Sequence, residues 1–598
     1  MSAPNGERFD VVIVGAGVAG ALMADTLAAA GKHVLLLEAG ADRSLDIGGY
    51  QPYVDQYLRA PSGVPNAPYP PNPNAPSANV LDIGNPSTSS YLVQQGNLPF
   101  LSDYTRELGG TTLHWQGACP RMVPNDFQLH SVYGQGVDWP IDYAELEPYY
   151  EKAEGALGVA ADVEDQRILG MTFSDGYEFP MHKMPQSLVD QFFMRTIDGM
   201  TVTLDGHDYP VRPISLPQAR NSTPNPAYKD KDGRGYKPVS YVGDGDRGLR
   251  CQGNSACTPL CPVQAKYNAR KTLLKARATA GDRLSIVSQA VASKLLIDSN
   301  SKRIEGVRYR TYSDPKKPSP AGEFTARGRI YVIAANAIET ARLLLVSGAA
   351  NRSDQVGRNL MDHPYMYSWG LAPEPVYPYR GPDTTSGLET LRDGGFRAKH
   401  ASFRMSIANW GWSGSPGADV DQFVAGGLFG RALRDKLHDT CTRHVRFGIM
   451  VEQLPDPSNR ITINPAYVDA FGIPRPVATY DIAPYSLDGA RAAREVAARV
   501  FERAGVQDCT EYKARPGFQL VGRDGRTFNL MGAGHIVGTH RMGRTAEDSV
   551  VNSSLQTWDH PNLFLAGAGA MVTIGTSNPT LTTAALTLRA AEQVLREL

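Results

Sequence analysis

The sequence predicts an α/β and α+β chain in which a Rossmann-like dinucleotide-binding domain is joined to a second lobe. Three observations carry that expectation: an amino-terminal strand–glycine turn–helix–strand unit, a carboxyl-terminal strand that runs through glycines into a long helix, and a length of 598 residues, too great for one ordinary domain.

The first unit is "FDVVIVGAGVAGALMADTLAAAGKHVLLLEAG". Val11 to Val14 form a β-branched run suited to a buried parallel strand, Gly15, Gly17 and Gly20 follow in the G-x-G-x-x-G spacing, Ala21 to Ala30 reads as a helix, and "HVLLLE" is a second buried strand ending at Glu38. Gly15 permits a tight turn, Gly17 lets backbone approach a pyrophosphate, and Gly20 lets the helix pack close to the strand. The helix start offers N–H groups and positive dipole to phosphate, and Glu38 is placed to accept from a ribose hydroxyl. The motif by itself does not separate FAD from NAD.

The far end repeats the logic. "NLFLAGAGA" is a strand entering a turn that contains Gly567, and "NPTLTTAALTLRAAEQVLREL" is a helix opened by Asn578 and Pro579. Just before them, "GHIVGTHRMG" places His535 and His540 in a glycine-rich block.

Between these ends the composition excludes several classes. A formal net charge of −1 leaves no electrostatic footprint for nucleic acid. Six cysteines in a chain of this length are not a disulfide scaffold. The most apolar stretch, Val11 to Gly31, is broken by Asp25 and its glycines and lacks a basic flank, so neither a membrane span nor an export signal is expected. Ala60 to Pro76 carries seven prolines and reads as an extended excursion. Strands are expected on both sides of a turn at Ser299–Ser301. Trp410 and Trp412, in "NWGWSG", read as packing residues.

Cys251, Cys257 and Cys261 lie in a C-x5-C-x3-C turn closed by Pro262, whereas Cys119, Cys441 and Cys509 are scattered and read as inert. Three thiolates on one loop suit a soft metal or an iron–sulfur cluster. Zinc ordinarily takes four ligands with tighter pairs, and the C-x-x-C-H of haem attachment is missing. The polar, turn-rich stretch ahead of the cysteines predicts a position near an exposed edge.

Further blocks occur in a telling order: "RELGGTTLHWQGACPRMVPNDF" from Arg106, "DWPIDYAELEPYYEKAEGALGV" from Asp138, "YVIAANAIETARLLLVSG" from Tyr331, "VGRNLMDHP" from Val356, then "HIVGTHRMG" and "GTSNPT". Together with the amino-terminal fingerprint they resemble the glucose–methanol–choline (GMC) family of flavoproteins over nearly the whole chain. The resemblance implies an FAD-binding domain assembled from residues 1–46, 100–160, 245–365 and 533–598. It implies a substrate domain with an antiparallel sheet from 161–244 and 366–532, and a Pro-rich excursion at 47–99. It implies FAD contacts at Gly15, Gly17, Gly20, Glu38, Gly109, Gly110, Thr112, His114, Val291, Gly567, Asn578 and Pro579, with His114 a candidate for covalent attachment to the flavin. His535 is then the general base, preferred over His540 by motif position, and Asn578 its partner, unless Asn578 only caps its helix. An imidazole titrating near neutrality suits the task.

The cysteine turn is similar to the cluster loop in catalytic subunits of bacterial FAD-dependent sugar dehydrogenases. That implies a 3Fe-4S cluster on Cys251, Cys257 and Cys261, a cytochrome c acceptor subunit and a small accessory subunit. The expected activity is oxidation of a sugar, glycoside or polyol hydroxyl. The alternatives are an oxygen-using sugar oxidase that releases hydrogen peroxide and an FAD-containing lyase. The expected location is periplasmic or membrane-associated through a partner's export signal, with cytoplasmic residence the alternative.

Overall fold

The computed structural model describes residues 8–42, 91–102, 104, 106–238, 249–253, 257, 261, 263–314, 319–410, 420–510, 519–522, 525 and 527–598. The proline-rich segment and Trp412 lie outside them.

Five parallel strands form the centre of one sheet, in the order Leu284–Val287, Val34–Leu37, Arg8–Val14, Gly322–Ile333 and Leu563–Leu565. Val11, Val12 and Ile13 are fully buried in the middle strand, which is why the sequence there is an unbroken apolar run rather than an alternation. The register is flush at one end. Val14 stands opposite Leu37 and Ile333, Leu37 opposite Val287, and Ile333 opposite Leu565, so the five carboxyl ends form one edge. The Val18–Ala29 helix packs against the Ala269–Ala280 and Thr580–Glu597 helices on one face of this sheet.

The Gly322–Ile333 strand outruns its parallel neighbours. Its first half pairs antiparallel with Ile304–Thr311, which pairs in turn with Ala290–Ile297. The expected turn lies between those two strands, where the Asp298 carboxylate accepts from the backbone N–H groups of Asn300 and Ser301.

A second sheet is mainly antiparallel, in the order Gln507–Asp508, Pro364–Leu371, His444–Val451, Phe403–Ala408, Thr384–Leu388 and Pro213–Ser215. The 21-residue Pro484–Ala504 helix covers one face. Met531–Gly532 also joins this sheet beside Pro364 and Tyr365, which brings the chain to His535 directly from the second lobe. At the end of the proline-rich excursion, Val93–Gln94 returns to pair in parallel with Pro474–Thr479. Among the described residues, no helix is long and apolar enough to cross a membrane.

Candidate active site

The carboxyl edge of the parallel sheet opens into a cleft of about 580 Å³, the position where doubly wound sheets hold ligands. Gly15, Gly17, Glu38, Gly110, Thr112, His114, Val291, Gly567, Asn578, Pro579 and His535 all line it.

The glycine turn leaves room for a phosphate backbone. A Cβ on Gly17 would meet nothing within 4 Å, whereas one on Gly20 would lie 1.8 Å from the Gly15 carbonyl oxygen. Gly15 itself has φ +99, and a Cβ there would press on Ala334. Gly20 and Gly109, expected as cofactor contacts, do not line the cleft. Gly20 permits the helix to approach the strand, and Gly109 is placed with φ +109 behind the wall, against the side chains of Arg270 and Leu113. Glu38 is committed first to backbone: its carboxylate accepts from Ala16 N at 2.8 Å and from Gly40 N at 2.7 Å. Burial raises its pKa despite those bonds. The Thr112 hydroxyl donates to Gly109 O at 2.5 Å and accepts from Ala269 N at 2.9 Å, which ties the flavin-loop turn to the next helix. An open glycine floor at a helix start, with a buried acid at its edge, fits a dinucleotide such as FAD.

At the other end of the cleft three side chains form a line. His363 Nε2 lies 3.0 Å from Gly575 O, His363 Nδ1 lies 2.8 Å from His535 Nδ1, and Asn578 Nδ2 lies 3.0 Å from His535 Nε2. A carbonyl can only accept, so His363 must carry its proton on Nε2 and, being neutral, accept at Nδ1. His535 must then donate from Nδ1, which leaves its Nε2 lone pair to take the Asn578 N–H. Asp362 holds the backbone beneath, accepting from His363 N at 2.8 Å and His535 N at 2.9 Å. Burial, with the Arg404 guanidinium adding to it, pushes His535 down to about 3, so it is neutral rather than titrating near pH 7 as its residue type suggests. Burial also pushes His363 well down, with the Arg404 guanidinium adding to it, and a proton on His535 would push it further.

His363, in "VGRNLMDHP", is a functional candidate that no local pattern singles out. Asn578 does not cap its helix; the cap position is Pro579 and no side chain caps it. His540 is fully buried behind Gly569, with Nε2 unpartnered among the described residues, and does not reach the cleft. The reading of Trp410 as packing needs correction: it lines the cleft with Tyr365, Tyr367 and Met450. The Arg446 guanidinium lies 4.4 Å from its ring centre and 4.6 Å from that of Tyr367.

The cysteine turn stands outside the cleft. Cys257 and Cys261 are buried and Cys251 is partly exposed, next to exposed Arg250 and Gln252, so the turn has one solvent lip and a buried floor. Among the described residues, the three sulfurs are not drawn within 4.8 Å of one another as single-ion ligands would be.

The comparisons with known proteins bear on this arrangement. Residues 234–365 and 455–587 match the amino- and carboxyl-terminal parts of the GMC oxidoreductase profile, and residues 13–75 match an NAD(P)-binding Rossmann-like domain. The chain is 34% identical to the fructose dehydrogenase large subunit of Gluconobacter japonicus, over 98% of both chains. The chain belongs to the GMC oxidoreductase family. It is therefore an FAD-dependent oxidoreductase that acts on CH–OH groups. This GMC oxidoreductase is also 26% identical to paromamine 6'-oxidase of Streptomyces fradiae, over 99% of this chain and 92% of that protein. Among solved structures it is similar to pyridoxine 4-oxidase from Mesorbium loti, with a TM-score of 0.62 and 16% identity over 98% of this chain and 99% of that one, which speaks to the fold.

Proposed function

We propose that this GMC oxidoreductase is a dehydrogenase for a sugar, glycoside or polyol hydroxyl, with His535 as its general base. The line Gly575–His363–His535–Asn578 carries the proposal, because it leaves one defined lone pair, His535 Nε2, at the cleft wall. Bound FAD supplies the two-electron acceptor. His535 Nε2 takes the substrate hydroxyl proton, and Asn578 turns its amide from that nitrogen to the substrate oxygen. The imidazolium formed passes its charge along the two rings toward the Gly575 carbonyl. Burial keeps His535 unprotonated, so its Nε2 lone pair is present at neutral pH, although the same shift makes it a weaker base than a free imidazole. Trp410, Tyr365 and Tyr367 offer aromatic faces to a sugar ring. We draw the two lobes at the segment boundaries given above, with His114 a candidate for covalent flavin attachment.

The finer reading is that electrons leave one at a time through a 3Fe-4S cluster on Cys251, Cys257 and Cys261 to a cytochrome c subunit. A small accessory subunit and a periplasmic or membrane-associated location complete it. Full-length similarity to a fructose dehydrogenase subunit and the three-cysteine turn support it. The oxidase reading rests on the similarity to paromamine 6'-oxidase and is separated by oxygen uptake with peroxide release.

His535→Ala is expected to bind FAD and to lose about 10²–10⁴-fold in the rate of flavin bleaching by substrate. Bleaching at the wild-type rate would remove His535 from the mechanism. Cys257→Ser is expected to lose iron and the paramagnetic signal while keeping FAD. Iron equal to wild type would end the cluster reading.

A further inference from the structure

Three basic side chains are buried against the cysteine turn: Arg220 at 1%, Lys266 at 2% and Lys271 at 4% exposure. Arg220 Nη1 lies 2.8 Å from Cys257 Sγ, and its Nη2 donates to Gln116 O at 2.6 Å. Lys266 Nζ donates to the carbonyls of both Cys257, at 2.7 Å, and Trp115. Lys271 Nζ donates to Gln264 O at 2.5 Å. Arg220 and Lys266 are bridge partners along the backbone, and Cys251 N donates to Asn221 O at 3.0 Å, so the cations and the turn are one unit.

Among the described residues, the basic groups outnumber the carboxylates at this unit, and burial lowers Lys266 to about 8 and Lys271 to about 7. Asp383 is the carboxylate in contact with this unit, 3.3 Å from Arg220 Nη2, and Arg220 Nε has no partner among the described residues. Burying a cation is expensive without an anion to offset it. Neutral thiols offset nothing, whereas thiolates bearing a cluster supply negative charge at the same place.

We infer that Arg220, Lys266 and Lys271 form a cationic cradle that holds an anionic iron–sulfur cluster on Cys251, Cys257 and Cys261 and raises its reduction potential. This rests on the cluster reading above and adds what tunes the cluster. Each electron accepted adds one negative charge, and fixed positive charge in a low-dielectric site favours the reduced form. The Arg220 N–H aimed at the Cys257 sulfur acts in the same direction. Lys266 also joins the cluster turn to the cleft, because the Trp115 carbonyl it holds belongs to a residue of the cleft wall. Two electrons taken from a hydroxyl substrate then leave singly, over the partly exposed Cys251 lip, to a one-electron protein acceptor.

The test uses the purified holoenzyme, with iron analysis and redox titration of the paramagnetic signal. Lys266→Met, Lys271→Met and Arg220→Gln are expected to shift the midpoint to more negative potential, and Lys266→Arg to restore it. If Lys266→Met loses iron, retention of iron by Lys266→Arg supports the charge argument. Unchanged potential in all three neutral variants, or equal iron loss in Lys266→Met and Lys266→Arg, would overturn the inference. A wild-type protein without iron would overturn the cluster reading beneath it, which iron analysis detects before any variant is made.

Discussion

His363 acts on the proposed chemistry without facing it. Its Nε2–H is pinned by the Gly575 carbonyl, so its Nδ1 accepts from His535 and fixes the tautomer of the base. His363→Phe removes that acceptor and leaves His535 free to carry its proton on either nitrogen. The expected result is a fall in kcat of at least about tenfold with KM little changed, and up to roughly 10⁴-fold if the wrong tautomer dominates. A purely structural role would lower kcat in step with protein yield, raise KM and leave the pH profile unmoved. The sequence named His535 and Asn578 because they sit in blocks with a recognisable order. It passed over His363, which is 172 residues from His535, because only folding brings the rings to 2.8 Å. Trp410 was undervalued for the same reason, since a lone aromatic residue gives no sign of whether it faces core or cleft.

At the scale of elements, the amino-terminal glycines have separable jobs. Gly20→Ala forces a Cβ to 1.8 Å from the Gly15 carbonyl, so helix and strand must part; the expected outcome is loss of soluble, yellow protein. Gly17→Leu adds bulk where nothing lies within 4 Å, so the fold is expected to persist while FAD is lost. Flavin absorbance per protein and the thermal midpoint of the flavin-free form distinguish the two. A helix limit can be fixed by a side-chain cap. Asp142 and Glu145 form a reciprocal capping box at the start of Tyr143–Leu157, and Gly158 ends it with φ 65. The Thr580–Glu597 helix shows the opposite case. Its Asn578 looks like a cap in sequence, yet its amide is taken by His535. The switch of Gly322–Ile333 from antiparallel to parallel partners was not legible, because both halves read as strand.

At the scale of the molecule, buried titratable groups predict how acid unfolds it. Burial pushes His540 down to about 3, and His363 and His535 shift in the same direction. Between about pH 6.5 and 3 the unfolded chain binds protons that the folded chain refuses, so stability falls as pH falls. Burial raises Asp362 to about 6, which works the other way between about pH 6 and 4. Glu339, despite burial, is held down to about 2 by Arg106 and Arg342, so its contribution is lost as pH drops below the ordinary carboxylate range. The urea midpoint is therefore expected to decline from about pH 6.5 and to steepen below about 4, at up to about 1.4 kcal/mol per pH unit for each opposing group. A midpoint that rises toward pH 3 would contradict these assignments.

By itself the sequence determined the dinucleotide fold, the order of the blocks and the three-cysteine turn, while the pairing of His535 with Asn578 came only from the family resemblance. The first three are written in local spacing, where a glycine, a cap or a short motif has a fixed geometric meaning. The tertiary structure alone decided which nitrogen of His535 carries the proton, which aromatic rings wall the cleft, and that three buried basic side chains lie against the cysteine turn. Those facts depend on side chains from distant segments meeting in a low-dielectric interior, where a proton or a charge is settled by neighbours that no local pattern encodes.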